Sequence, residues 1–166
     1  MGFPYNPAAW SSFFSAQVSA SAALAGLIFV AVSINLNKII EGRLLIPRCA
    51  QALSTLTGVL LACICCLVPG QPSVALGGEL AGVGTVIWLI STVFQHRASH
   101  HNPYVGRSLK FFHTLLTQLA TLPFIAAGVS LLVMRGGGLY WLAPGAAFSF
   151  VAALLDAWVL LIEIQR

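Results

Sequence analysis

Charge is what this chain has least of. Asp and Glu number four in 166 residues, Lys and Arg eight, and charged residues make up 7% of the whole. Soluble domains carry roughly a quarter of their residues charged, so this composition excludes an ordinary soluble fold. Long polar connections are missing as well. The gaps between apolar runs are Asn37–Pro47, Pro69–Ser73, Gln95–Ser108 and Arg135–Gly138, none of them large enough for a soluble active-site domain. No Ser-His-Asp, HExxH, GxGxxG or P-loop pattern occurs, and no basic face is interleaved with stacking aromatics. Those absences speak against an enzyme and against a nucleic-acid partner.

Metal and cofactor chemistry is equally thin. Cys49, Cys63, Cys65 and Cys66 are the only cysteines. On a helix, positions 65 and 66 point about 100° apart, so the Cys-Ile-Cys-Cys run offers no four-ligand cage. The cysteines read as small, lipid-compatible packing residues. His96 and His100 have the i, i+4 spacing of a metal pair, but Asn102-Pro103 ends any helix there and no Cys or carboxylate lies close. With His101 they read as a wet, basic loop. Neither a metal nor a cofactor is expected.

What the chain does have is apolar length. Hydrophobic residues make up 58% and the mean hydropathy is +0.92. Five runs stand out, at Ala9–Leu36, Arg48–Val68, Val74–Phe94, Leu109–Met134 and Leu139–Ile164. At 1.5 Å per residue, about 20 residues cross a hydrocarbon core of about 30 Å. In lipid every backbone polar group needs a partner within the protein, which selects helices. The expected fold is all-α: one polytopic transmembrane domain over 1–166, a bundle of five helices in contact with the lipid bilayer. The first run is too long for a signal-peptide core and has no Lys or Arg before it, so its helix is expected to be retained.

Orientation follows from the basic residues. Lys38, Arg43, Arg48, Arg97, Arg107, Lys110 and Arg166 fall at one end of the helices, and Arg135 alone falls at the other. The positive-inside rule then puts the N-terminus outside and the C-terminus in the cytoplasm. Tyr5, Trp10, Tyr140 and Trp141 would mark the outer interface, and Tyr104, Phe111, Phe112 and Trp158 the inner one.

Small residues line some of these helices. Ser12, Ser15, Ser19, Ala22, Ala23 and Gly26 form a stripe on the first, with Ser33 near its continuation. The third carries Gly78-x-x-x-Gly82, with Gly77, Ala81 and Thr85 beside it, and the fifth carries Ser149, Ala153 and Ala157. In lipid, close backbone approach through small side chains drives helix association. Packing inside one chain is the favoured reading of these stripes. An oligomer seam or a pore lining along the first helix is the sharper one.

Ionisable groups at membrane depth are costly unless partnered. Folding the fourth and fifth helices about Gly136-Gly137 pairs Glu163 with Lys110 at equal depth, and Asp156 with Thr117, with His113 one turn away. That reads as an interfacial ion pair plus a hydrogen-bonded Asp156, or as a cation or proton site. Glu79 lies at the depth of Gln17, with Arg135 the only basic residue on its side. It is expected either to pair with one of them or to stand as a lone protonatable group. Gln118 and Thr121 add polarity near the midplane. Pro123 should kink the fourth helix and leave a carbonyl near Leu119 without its donor.

The segment Ser19-Ala20-Ser21-Ala22-Ala23-Leu24-Ala25-Gly26-Leu27-Ile28-Phe29-Val30-Ala31-Val32-Ser33-Ile34-Asn35-Leu36, behind Trp10 and Phe13-Phe14, resembles a family of small uncharacterised bacterial multi-spanning membrane proteins. They share an opening of the form ASAALxGLxFVAxSINL, and the Val68-Pro69-Gly70-Gln71 turn is similar to theirs too. Some carry the name "modulator of FtsH protease". The likeness covers about the first half of the chain. It implies a bacterial cytoplasmic (inner) membrane and supplies no catalytic residues. The expected function is association, as a self-associating or accessory subunit of a membrane complex. The second reading is a homo-oligomeric ion or proton channel lined by the serine face of the first helix.

Overall fold

The computed structural model describes residues 3–36, 39, 45–100 and 107–165; within these, the side chains of residues 3, 45, 97–100, 107–110 and 159–165 lie outside the description. No strand occurs among the described residues. The helices are α1 (Ser11–Ile34), α2 (Leu45–Leu67), α3 (Ser73–His100), α4 (Arg107–Val133) and α5 (Leu142–Gln165), with 3-10 turns at Phe3–Tyr5, Pro7–Trp10 and Gly138–Trp141. Five of the described helical segments are long and apolar enough to cross a membrane: Pro7–Ile34, Ile46–Leu67, Ser73–His96, Phe111–Val133 and Gly138–Trp158. The protein is an all-helical membrane protein.

Helices α2 to α5 form a ring in which each packs on the next and α5 returns to α2; α1 lies outside, against α2. Pro47 falls in the first turn of α2, where a missing N–H costs nothing. Both expected glycine turns are present. Gly70 has φ +72° between α2 and α3, and Gly136, Gly137 and Gly138 have φ +91°, +105° and +56° between α4 and α5. Helix α4 ends on Met134 in the left-handed region at φ 55°, with the Arg135 N–H returning to the Ser130 carbonyl at 3.1 Å. That six-to-one bond is a Schellman ending. The Ser130 hydroxyl accepts from the Gly138 N–H at 2.7 Å and donates to the Arg135 carbonyl, and Trp141 Nε1 donates to the Gly136 carbonyl at 2.7 Å.

The N-terminal turns close over the same end. A Cβ on Gly138 would run into the Pro4 carbonyl and come within 2.9 Å of the Tyr5 ring. Trp10 meets Tyr140 edge-on at 4.7 Å between ring centres, and fully buried Phe14 lies beneath Trp10.

The closest helix contact joins α3 to α4. A Cβ on Gly128 would collide with the Ala81 backbone nitrogen and lie 2.7 Å from the Gly77 carbonyl, and one on Gly84 would lie 2.9 Å from Ile125 N. The sequence reading placed this role on Gly78 and Gly82. Both instead face outward with open space around them. The glycine-rich segment presents two adjacent small faces, and Gly128 on the partner helix selects the one formed by Gly77, Ala81 and Gly84.

Pro123 sits within α4 as expected. Ser149 on α5 donates to the Ala120 carbonyl at 3.0 Å, next to the turn that the proline ring disturbs.

Candidate functional site

Helix α3 runs to His100, beyond the expected end at Phe94. Gln95, read from sequence as the start of a loop, is therefore helical, and it faces α4. At this end of the ring four helices meet through polar side chains. Asp156 on α5 is only 1% exposed, and its Oδ1 lies 3.0 Å from His113 Nε2 on α4. His113 is partly open, with 32% of its side chain exposed. Its other ring nitrogen, Nδ1, lies 3.4 Å from Gln95 Nε2 on α3. The same Gln95 amide donates to Thr114 Oγ1 at 3.1 Å. Gln51 on α2 reaches across the ring to donate to Thr117 Oγ1 at 2.9 Å, and Thr117 donates in turn to the His113 carbonyl at 2.9 Å. Cys49, also on α2, is buried near this end of the ring.

Thr55 and Thr121 lie one turn inward from Gln51 and Thr117, both buried, with their hydroxyls committed to carbonyls of their own helices. Ser91 and Thr92 of α3 lie near the level of Thr117, and their buried hydroxyl oxygens have no hydrogen-bond partner. Trp88 Nε1 donates to Gln118 Oε1 at 2.7 Å. Further along, the bundle is apolar, through Val59, Ala62, Leu76, Leu80, Phe124, Ala127 and Leu131. Polarity therefore occupies one half of the ring interior and stops.

Comparison of the chain with protein-family models, with curated proteins and with solved structures finds no match.

Asp156, His113 and Thr117 come together as one cluster, and Gln118 lies beside it. The direct partner of Asp156 is His113 rather than Thr117, one turn from the equal-depth expectation. The 3-10 stretch Gly138–Trp141 contributes to that shift, since it rises about 2.0 Å per residue against 1.5 Å for an α-helix. Gln51 and Gln95 were missed by sequence reasoning. Each lies within a few residues of a helix end, where an amide looks like an interfacial residue, and only the crossing of helices reveals its partner. The expected Lys110–Glu163 pair falls on side chains outside the description.

The Glu79 expectation changes. Glu79 is exposed, and its carboxylate lies near the Cys65 thiol of α2. It pairs with neither proposed residue. Exposed Arg135 belongs to the turn after α4, and Gln17 sits on α1, which packs on α2, with its Oε1 buried and unpartnered. All four cysteines are free.

The stripe on α1 is also corrected. Ser12, Ser15, Ser19, Ala22, Ala23, Gly26 and Ser33 are all exposed, so packing inside one chain does not use them. The buried residues of α1 are Phe14, Ser21 and Ile28, on another face. Ser19 and Ser33 donate to the carbonyls of Ser15 and Phe29 at 3.0 and 2.8 Å.

Proposed function

We propose that this chain is a non-enzymatic integral membrane protein that works by association, with α1 as its seam. One observation carries the reading: the longest small-residue stripe in the chain lies on the outside of the bundle, on the helix least enclosed by its neighbours. Serine, alanine and glycine let another helix approach closely, and lipid tails fill such a shallow face poorly. The outward pair Gly78 and Gly82 adds a second small surface on α3. The partner is a second copy of the chain or a different membrane subunit. The resemblance of α1 to small bacterial membrane proteins supports a bacterial cytoplasmic membrane as the setting, and the distribution of basic residues supports an outside N-terminus.

A homo-oligomeric channel along the same stripe is the competing reading. The hydroxyls of Ser19 and Ser33 are already bonded to their own helix, which favours a dry contact. Native mass spectrometry of the protein gently extracted from its membrane tests the proposal. A small-integer multiple of 17.6 kDa, or a larger mass containing other polypeptides, is the expected result; a lone monomer at every protein-to-detergent ratio would overturn it. Single cysteines at Ser15, Ser19 and Ser33 should resist a water-borne thiol reagent within that assembly. Fast labelling at all three would turn the reading to the channel.

A further inference from the structure

We propose that His113 and Asp156 form a reversible proton-binding site, entered from one end of the bundle and closed toward the other. The proposal concerns the ring α2–α5 and is independent of what α1 associates with.

Asp156 is 1% exposed in a helix whose apolar span runs to Trp158, so a bare carboxylate there is costly. With one proton added, the pair has no net charge, whether as imidazolium and carboxylate or as imidazole and carboxylic acid. With that proton lost, it leaves a neutral imidazole donating through Nε2 to a carboxylate. Gln95 can serve either state. Its amide nitrogen donates to an unprotonated Nδ1, as placed here at 3.4 Å; turned over, its oxygen accepts from a protonated Nδ1. A histidine held only for structure needs no such two-way partner, nor a side chain left one-third open at the helix ends.

Other ionisable groups near the pair are few. From α2 come buried Cys49 and, before it, half-buried Arg48. From α3, His96 follows Gln95 and is exposed. Lys110 on α4 and Glu163 on α5 lie one and two turns away along their own helices. Inward, Thr55, Ser91, Thr117 and Thr121 continue the polar path by one turn, and Ser91 and Thr92 leave hydroxyl oxygens without partners. Beyond them Val59, Leu80, Phe124 and Leu131 close the interior. A proton can reach the pair and return, with no polar route onward.

Two measurements on the full chain test this. The first is nitrogen-15 NMR of histidine-labelled protein in lipid nanodiscs, with His113 assigned by its loss in His113→Gln. A reversible change of both ring nitrogens across roughly pH 5 to 8, where imidazole chemistry operates, is expected. Asp156→Asn should alter that step while the protein keeps its elution volume and thermal midpoint. Ring signals that stay fixed over the whole range would overturn the site and leave a static hydrogen bond. The second is proton leak from liposomes loaded with a pH-sensitive dye. Vesicles that hold their gradient support the closed end. A leak that scales with protein and disappears in Asp156→Asn would overturn it.

Discussion

Gly128 and Gly82 are chemically identical and sit at comparable depth on packed helices, yet their surroundings are opposite. At Gly128 the backbone of α3 occupies the space where a side chain would begin, and at Gly82 nothing lies within 4 Å. Valine at Gly128 must push α3 and α4 apart, since the obstructing atoms are backbone and have no rotamer to change. Overpacking of that kind costs about 1–3 kcal/mol even where side chains can yield. Gly128→Val should therefore lower the thermal midpoint strongly, and Gly82→Val should leave it nearly unchanged in the monomer. Thermal unfolding in detergent measures both. Equal losses would mean that the α3–α4 register differs from the one described. The same contrast explains why the Gly-x-x-x-Gly signal does not mark the contact made inside this chain. Spacing marks a helix as able to pack closely, but the residue that selects the face lies on another helix.

Helix α4 carries a defect and its repair. Pro123 removes the N–H that would bond the Leu119 carbonyl and crowds that turn, and Ser149 of α5 donates its hydroxyl to the adjacent Ala120 carbonyl. Interhelical hydrogen bonds in membranes are worth about 0.6 kcal/mol on average. Ser149→Ala should cost roughly that much, and the cost should shrink in a Pro123→Ala background, where the ladder closes without help. Unfolding free energies for the two single variants and the double variant give the coupling directly; additive costs would refute the repair. At this scale much was legible in the sequence. The five spans, the proline within the fourth, and the turns at Gly70 and Gly136–Gly138 follow from apolar length and from residues with strong backbone preferences. The ends of α3 were not, because hydropathy falls at Gln95 while helical hydrogen bonding continues to His100. That extension is what carries Gln95 to His113. The candidate site was legible in its acid and histidine, since charge at membrane depth is conspicuous. Its amides were not, because Gln51 and Gln95 acquire meaning only through helix crossings.

Across the whole molecule the two ends are built differently. One end is bound by the Ser130 and Trp141 hydrogen bonds, three glycines at positive φ, and the N-terminal turns seated on Gly138. The other holds the polar cluster of Gln51, Gln95, His113 and Asp156, together with the described basic positions Arg48, Arg97, Arg107 and Lys110. Basic residues are retained on the cytoplasmic side during insertion, a rule that counts Lys and Arg near helix ends rather than net charge. The open, polar end should therefore face the cytoplasm, and the His113–Asp156 pair would respond to cytoplasmic rather than external pH. Single cysteines in a background with the four natural ones replaced by alanine decide the matter. Pro69→Cys, in the exposed turn between α2 and α3, should react with an impermeant maleimide in intact cells. His96→Cys, exposed at the opposite end, should react only once the membrane is opened. The reverse pattern would place the polar end outside and make external acidity the signal that reaches Asp156.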